Sequence, residues 1–114
     1  MRRGKTRTLE RMATVQLLDD RMKDGSRNFI LLPQTVPPLR LIPRIFTLWG
    51  AFPTAYAPSL AESWIDFRFR GQNFSINNQF GDFWFFVEDA SCPTDILERV
   101  ASHFSKFLAV RNAL

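Results

Sequence analysis

Residues 64–86 read WIDFRFRGQNFSINNQFGDFWFF, and this stretch decides the fold. It holds Trp64, Phe67, Phe69, Phe74, Phe80, Phe83, Trp84, Phe85 and Phe86, more than half the aromatic residues of a chain with twelve Phe, three Trp and one Tyr. Ile65, Phe67 and Phe69 alternate with Asp66, Arg68 and Arg70, the period-two pattern of a strand with one buried and one wet face. With Gly71 and Gly81 as turn signals, the pattern predicts an antiparallel meander with core strands over residues 64–70, 73–78 and 82–88.

Turn chemistry sets the register. Gly71-Gln72 suits a two-residue turn, pairing Phe69 with Phe74 and Phe67 with Ile76. The first two strands then share an apolar face, and Asp66, Arg68, Arg70, Asn73, Ser75 and Asn77 lie on the other. A two-residue turn at Phe80-Gly81 would demand a positive φ at Phe80, which costs on the order of 1 kcal/mol or more. Asn78-Gln79-Phe80-Gly81 suits instead a type I turn with Gly81 left-handed at a bulge. That register puts Trp84 and Phe86 in the core and sends Phe83, Phe85 and Val87 to the opposite face; the two-residue turn would exchange the sets. Either way the third strand is apolar on both faces, so something must cover its second face.

Outward from the meander, Cys92-Pro93-Thr94-Asp95 is a helix start, and Ile96, Leu97, Val100, Phe104, Phe107 and Leu108 form a broad stripe. An amphipathic helix over residues 93–109 is expected across one sheet face. Leu9, Met12, Val15, Leu18 and Met22 are spaced as a second helix from Thr8 to Asp24, with a strand over Thr14 to Leu18 as the competing reading. Arg27 to Leu32 is a strand candidate ended by Pro33. Six prolines between Pro33 and Pro58 exclude one long helix or a central strand there. The segment is too apolar for a disordered linker, so a short strand near Leu39 to Ile42, a helical turn or two from Pro43 to Trp49 and an irregular loop are expected. Such a loop either plugs the core or forms a binding surface, with Trp49 a candidate contact residue.

At 114 residues, 46% hydrophobic and 23% charged, the chain suits one globular domain. Arg2, Arg3, Lys5, Arg7 and Arg11 against Glu10 account for the whole net charge of +4, so residues 1–11 are a basic tail on a neutral domain of residues 12–114. The tail reads as a flexible solubilising arm, as an upstream extension with Met12 the true start, or as an arm for nucleic acid or another acidic partner. A lone cysteine, Cys92, excludes an intramolecular disulfide; with no signal-peptide pattern and no membrane-length apolar run, a cytoplasmic location is expected.

Residues that carry chemistry are sparse. Cys92 and His103 lie eleven residues apart on one helix, about 16 Å, too far for proton transfer. His103 is the single histidine, no Cys lies at ligand spacing, and no metal site or cofactor is expected. Glu88 and Asp89 point to opposite faces of a strand and make no acid–base pair. The best cluster is Arg68 and Arg70 with Asn73 and Asn77, joined by Phe83 and Phe85 on the same face, where an extended or planar ligand could stack and hydrogen-bond.

These readings combine into an α+β fold with a sheet of three to five strands and a C-terminal helix on one face. The expected function is a non-catalytic protein-interaction module, self-associating as a homodimer through the aromatic sheet face or the Pro-rich loop 33–58. The competing expectation is nucleic-acid or small-ligand binding on the Arg/aromatic face.

Overall fold

The computed structural model describes residues 16–59 and 61–113. The meander forms where the alternation puts it: β4 spans Trp64–Phe69, β5 Gln72–Gln79 and β6 Asp82–Val87, all antiparallel. Before them come β1 (Asp20–Arg21), β2 (Arg27–Pro33), a 3-10 turn (Pro38–Arg40), α1 (Leu41–Phe46) and β3 (Phe52–Ala57); after them comes α2 (Thr94–Ala113). Among the described residues the sheet has six strands in the order β1-β2-β6-β5-β4-β3, one more than the upper expectation.

Both meander turns have two residues, and both differ from the expected turns. The first is Arg70-Gly71, with φ of 50° and 78°, and pairs Phe67 with Phe74 and Ile65 with Ile76. This shifts the register by two residues, so the same side chains face the core. The second is Phe80-Gly81, with φ of 50° and 82°, and pairs Ile76 with Phe85 and Phe74 with Val87. The bulged alternative is thereby overturned: Phe83, Phe85 and Val87 are in the core, and Trp84 and Phe86 lie on the opposite face. The left-handed strain at Phe80 is outweighed by burial of two Phe and a Val against β5 and α2, each side chain contributing roughly 1.5–3 kcal/mol. Phe80 itself is 90% exposed, so it can change without loss of packing. Phe80→Asn, which tolerates this turn, should raise stability by about 0.5–1 kcal/mol, read as a higher urea midpoint at unchanged slope.

α2 covers one sheet face. Its buried stripe is Leu97, Val100, Ala101, Phe104 and Leu108, and the Phe104 ring lies 5.2 Å from Phe85 and 5.9 Å from Phe67. Phe67 stacks on Phe74 at 5.0 Å beneath it. The helix begins one residue later than expected: Pro93 lies just outside, its carbonyl accepting from the Ile96 and Leu97 amides. β2 forms as expected, with a bulge between Asn28 and Ile30. The bulge lets the consecutive residues Phe29 and Ile30 both be buried, with Phe29 edge-on to Phe74 at 5.7 Å.

The Pro-rich segment departs most from expectation. No strand forms at residues 39–42; a 3-10 turn runs directly into α1, where Pro43 sits in the first helical turn and its missing N–H leaves no bond unmade. Val36, Leu41, Ile45, Leu48 and Ala51 join the core on the α2 side. Residues 52–57 form an edge strand, β3, the place where a sheet accepts Pro53. The expected N-terminal helix is also corrected for residues 16–24, which contain β1 and a turn; residues 8–15, and with them the rest of that expectation, lie outside the described residues.

α1 and α2 are tied through Arg44 and His103. The Arg44 guanidinium lies 5.0 Å over the Phe107 ring. His103 Nε2 is 3.0 Å from the Arg44 carbonyl, which can only accept, so that nitrogen carries the proton; Thr47 Oγ1 is also 3.0 Å away. Burial, reinforced by the Arg44 and Lys106 charges and partly opposed by the Arg44 carbonyl, holds the ring below its ordinary value of 6.5. The folded state thus favours neutral His103, a contribution fully present above pH about 6.5 and lost as pH falls below it, because the unfolded ring takes up the proton first. Urea midpoints should decline from pH 7 to pH 5, and His103→Gln should flatten that decline.

Candidate functional site

The sheet face opposite α2 has no covering element among the described residues, and its side chains form a grid set by the register. One row is Arg68 and Asn73 with Glu88 just beyond β6, the next Asp66, Ser75 and Phe86, and the third Trp64, Asn77 and Trp84. Hydrogen bonds run along the rows. Arg68 Nη1 donates to Asn73 Oδ1 at 2.7 Å, and Asn73 Nδ2 donates to Glu88 Oε1 at 2.7 Å. Ser75 Oγ donates to Asp66 Oδ1 at 2.7 Å, and Asn77 Nδ2 donates to Glu62 Oε2. The Trp64 ring stacks on Phe86 at 6.2 Å and 27°, and Trp84 Nε1 donates to the Gln79 carbonyl.

These side chains bound a hollow of about 510 Å³, lined among others by Met22, Trp64, Asp66, Asn77, Phe86 and Glu88. Its charged lining residues are Asp24, Asp66 and Glu88; no Lys or Arg lines it among the described residues. Asn77 is 2% exposed, and its Oδ1 has no hydrogen-bond partner among them.

The anticipated site residues are thus divided. Arg68, Asn73 and Asn77 lie together on the uncovered face. Arg70 is in the turn, its guanidinium 5.3 Å over Phe69, a ring of the opposite, buried face. Phe83 and Phe85 are buried under α2, and Trp84 and Phe86 occupy the place expected for them. Trp49 follows α1 and is 90% exposed.

A second candidate surface is the segment from α1 through β3. Phe46, Trp49, Phe52 and Tyr56 are all exposed, Phe52 paired with Arg68 of the uncovered face and Tyr56 with Ile65 of the α2 face, and from Ile45 to Ala61 the chain has no charged residue. Among the described residues β3 pairs with β4 alone, leaving its other edge without a partner strand there. The two sheet edges are therefore unlike. β1 is two residues long, and its Arg21 pairs with Asp19 at 2.7 Å, the short, charged form that discourages strand addition. β3 has six residues, aromatic groups on and beside it, and Pro53 as its one blocking residue. The absence of charge from Ile45 to Ala61 is legible in the sequence and marks this surface; the grid's Trp64, Phe86 and Glu62 needed the observed register to be placed.

Cys92 is buried, and desolvation together with the Asp89 charge pushes its thiol up to about 11, far from a thiolate at neutral pH. Among the described residues no three His, Cys, Asp or Glu side chains converge as metal ligands do, and no helix is long and apolar enough to cross a membrane. Neither family models, nor curated proteins, nor solved structures give a match to the chain.

Proposed function

We propose that the chain is a non-catalytic protein-interaction module that self-associates as a homodimer through the Pro-rich segment, with β3 and the aromatic residues beside it as the contact. The observation that carries this reading is the uncharged edge of β3, unpaired among the described residues, with Phe46, Trp49, Phe52 and Tyr56 exposed in and before it. An edge of this kind exposes unpaired backbone N–H and C=O groups to another strand, and aromatic side chains are the residues enriched in interface cores. Antiparallel pairing of two β3 strands would join two sheets and bring the aromatic residues on each face of one strand beside those of the other. A single cysteine suits a reducing compartment such as the cytoplasm.

Sedimentation velocity over a dilution series tests the proposal. The expected species at high concentration has twice the 13.3 kDa chain mass and dissociates on dilution. A monomer at every attainable concentration overturns it. The competing reading, a nucleic-acid or small-ligand site on the Arg68 face, has a narrower basis: Arg68 is held by Asn73, and the charges lining the hollow are carboxylates that repel phosphate. A nucleic-acid role for Arg2, Arg3, Lys5, Arg7 and Arg11 concerns positions outside the described residues.

A further inference from the structure

Strand β6 is apolar on both faces, and among the described residues only one of them is covered. Phe83, Phe85 and Val87 are buried on the α2 side; on the opposite face Trp64 is exposed and Leu31, Trp84 and Phe86 are half-buried. The register sets Leu31, Trp84, Asn77, Trp64 and Ala57 in one row that crosses the sheet from β2 to β3. Contiguous aromatic surface of this kind marks a contact. Asp66 and Glu88 lie in two further rows of the same face, so its complement is a segment that carries apolar side chains and several separated cations.

Residues 1–15 have that composition and reach the face from the right side. Leu9, Met12 and Val15 follow one another at a spacing of three, and Arg2, Arg3, Lys5, Arg7 and Arg11 stand against Glu10 alone. The Leu18 amide donates to the Phe29 carbonyl at 2.8 Å and Asp20 pairs with Asn28, so from Leu18 back to Gln16 the chain runs antiparallel to β2, toward its Leu31 end. From β2 across to β3 is four strand spacings, about 19 Å. Fifteen residues span about 22 Å as a helix and about 50 Å fully extended, so either form crosses the row. A second copy laid face to face would instead set acid against acid.

We propose that residues 1–15 of the same chain cover this sheet face, with Leu9, Met12 and Val15 on the Leu31, Trp84 and Trp64 side chains and the basic residues along the Asp66 and Glu88 rows. The β3 contact joins sheets edge to edge and leaves this face free, so the two proposals stand or fall separately.

The test places a nitroxide on Thr8→Cys in the isotope-labelled full chain and reads the three indole N–H signals. Cys92 can stay, because its thiol is buried and pushed up to about 11, and it reacts slowly. Trp64 and Trp84 should lose their signals while Trp49, which follows α1 and is 90% exposed, keeps its own. Adding Leu9→Ser, Met12→Ser and Val15→Ser together should restore both signals, with the thermal midpoint reporting that the variant folds. Intact Trp64 and Trp84 signals, equal loss at all three indoles, or loss only when nitroxide and isotope are on different molecules overturns the proposal. A second measurement needs no label: acrylamide should quench Trp49 readily in the native chain, and Trp64 only in the triple-serine variant. Trp64 fluorescence quenched alike in both would also overturn it.

Discussion

Phe85→Ala should cost about 3–5 kcal/mol of folding stability, while Phe86→Ala, one residue on, should cost about 1 kcal/mol. Phe85 is fully buried, 5.2 Å from Phe104 and 6.3 Å from Phe29, so truncation leaves a cavity walled by α2, β2 and β5 that rigid neighbours cannot close. Phe86 is half-buried on the uncovered face, where water fills the space it leaves. Domains of this size have roughly 5–15 kcal/mol in total, so Phe85→Ala approaches unfolding and Phe86→Ala does not. Equilibrium urea unfolding of the two variants checks the contrast. Equal losses, or the larger loss at Phe86, would mean that β6 runs in the opposite parity.

Trp49→Ser should weaken self-association about thirtyfold or more while leaving folding stability within about 0.5 kcal/mol. Interface Trp residues commonly contribute 2 kcal/mol or more to binding, and an exposed side chain contributes little to the monomer. Trp49 is 90% exposed, which separates the two effects cleanly. Ala55→Lys places a charge on the edge strand itself and should act in the same direction by opposing strand pairing. Sedimentation equilibrium reads the dissociation constant, and urea unfolding the stability. A Trp49→Ser variant that associates like the native chain would remove Trp49 from the contact.

Much of the fold was legible because the meander and α2 carry strong local periodicity. Ile65, Phe67 and Phe69 define a buried face regardless of their neighbours, and the α2 stripe does the same at helical spacing. What failed was the choice that local chemistry decides weakly. At Phe80, a local penalty on the order of 1 kcal/mol for positive φ argued for the bulged turn, yet core burial over a whole strand exceeds it several times over. Parity then reversed, and Phe83 and Phe85 exchanged places with Trp84 and Phe86. β3 was missed for a related reason: Pro53 and Pro58 argue against a central strand, and an edge strand escapes that rule.

The surfaces were legible in part. Arg68, Asn73 and Asn77 follow from strand alternation alone, and the observed register keeps them on one face. Their meaning depended on cross-strand neighbours. Glu88 draws Asn73, which holds Arg68, so the arginine first read as a ligand contact is one end of a hydrogen-bonded row. Glu62 lies outside the meander's alternation and reaches Asn77 only once the strands pair. Trp49 was singled out for its place in an apolar loop, and its exposure fits a contact role; the adjacent edge strand required the sheet order.

The most direct measurement of the central claim is amide hydrogen exchange of residues 54–57 as a function of protein concentration. Self-association through β3 predicts that amides facing its free edge exchange slowly in concentrated protein and quickly after dilution, in step with the change in sedimenting mass. Exchange that is fast and independent of concentration, in a sample that stays at 13.3 kDa, would contradict it.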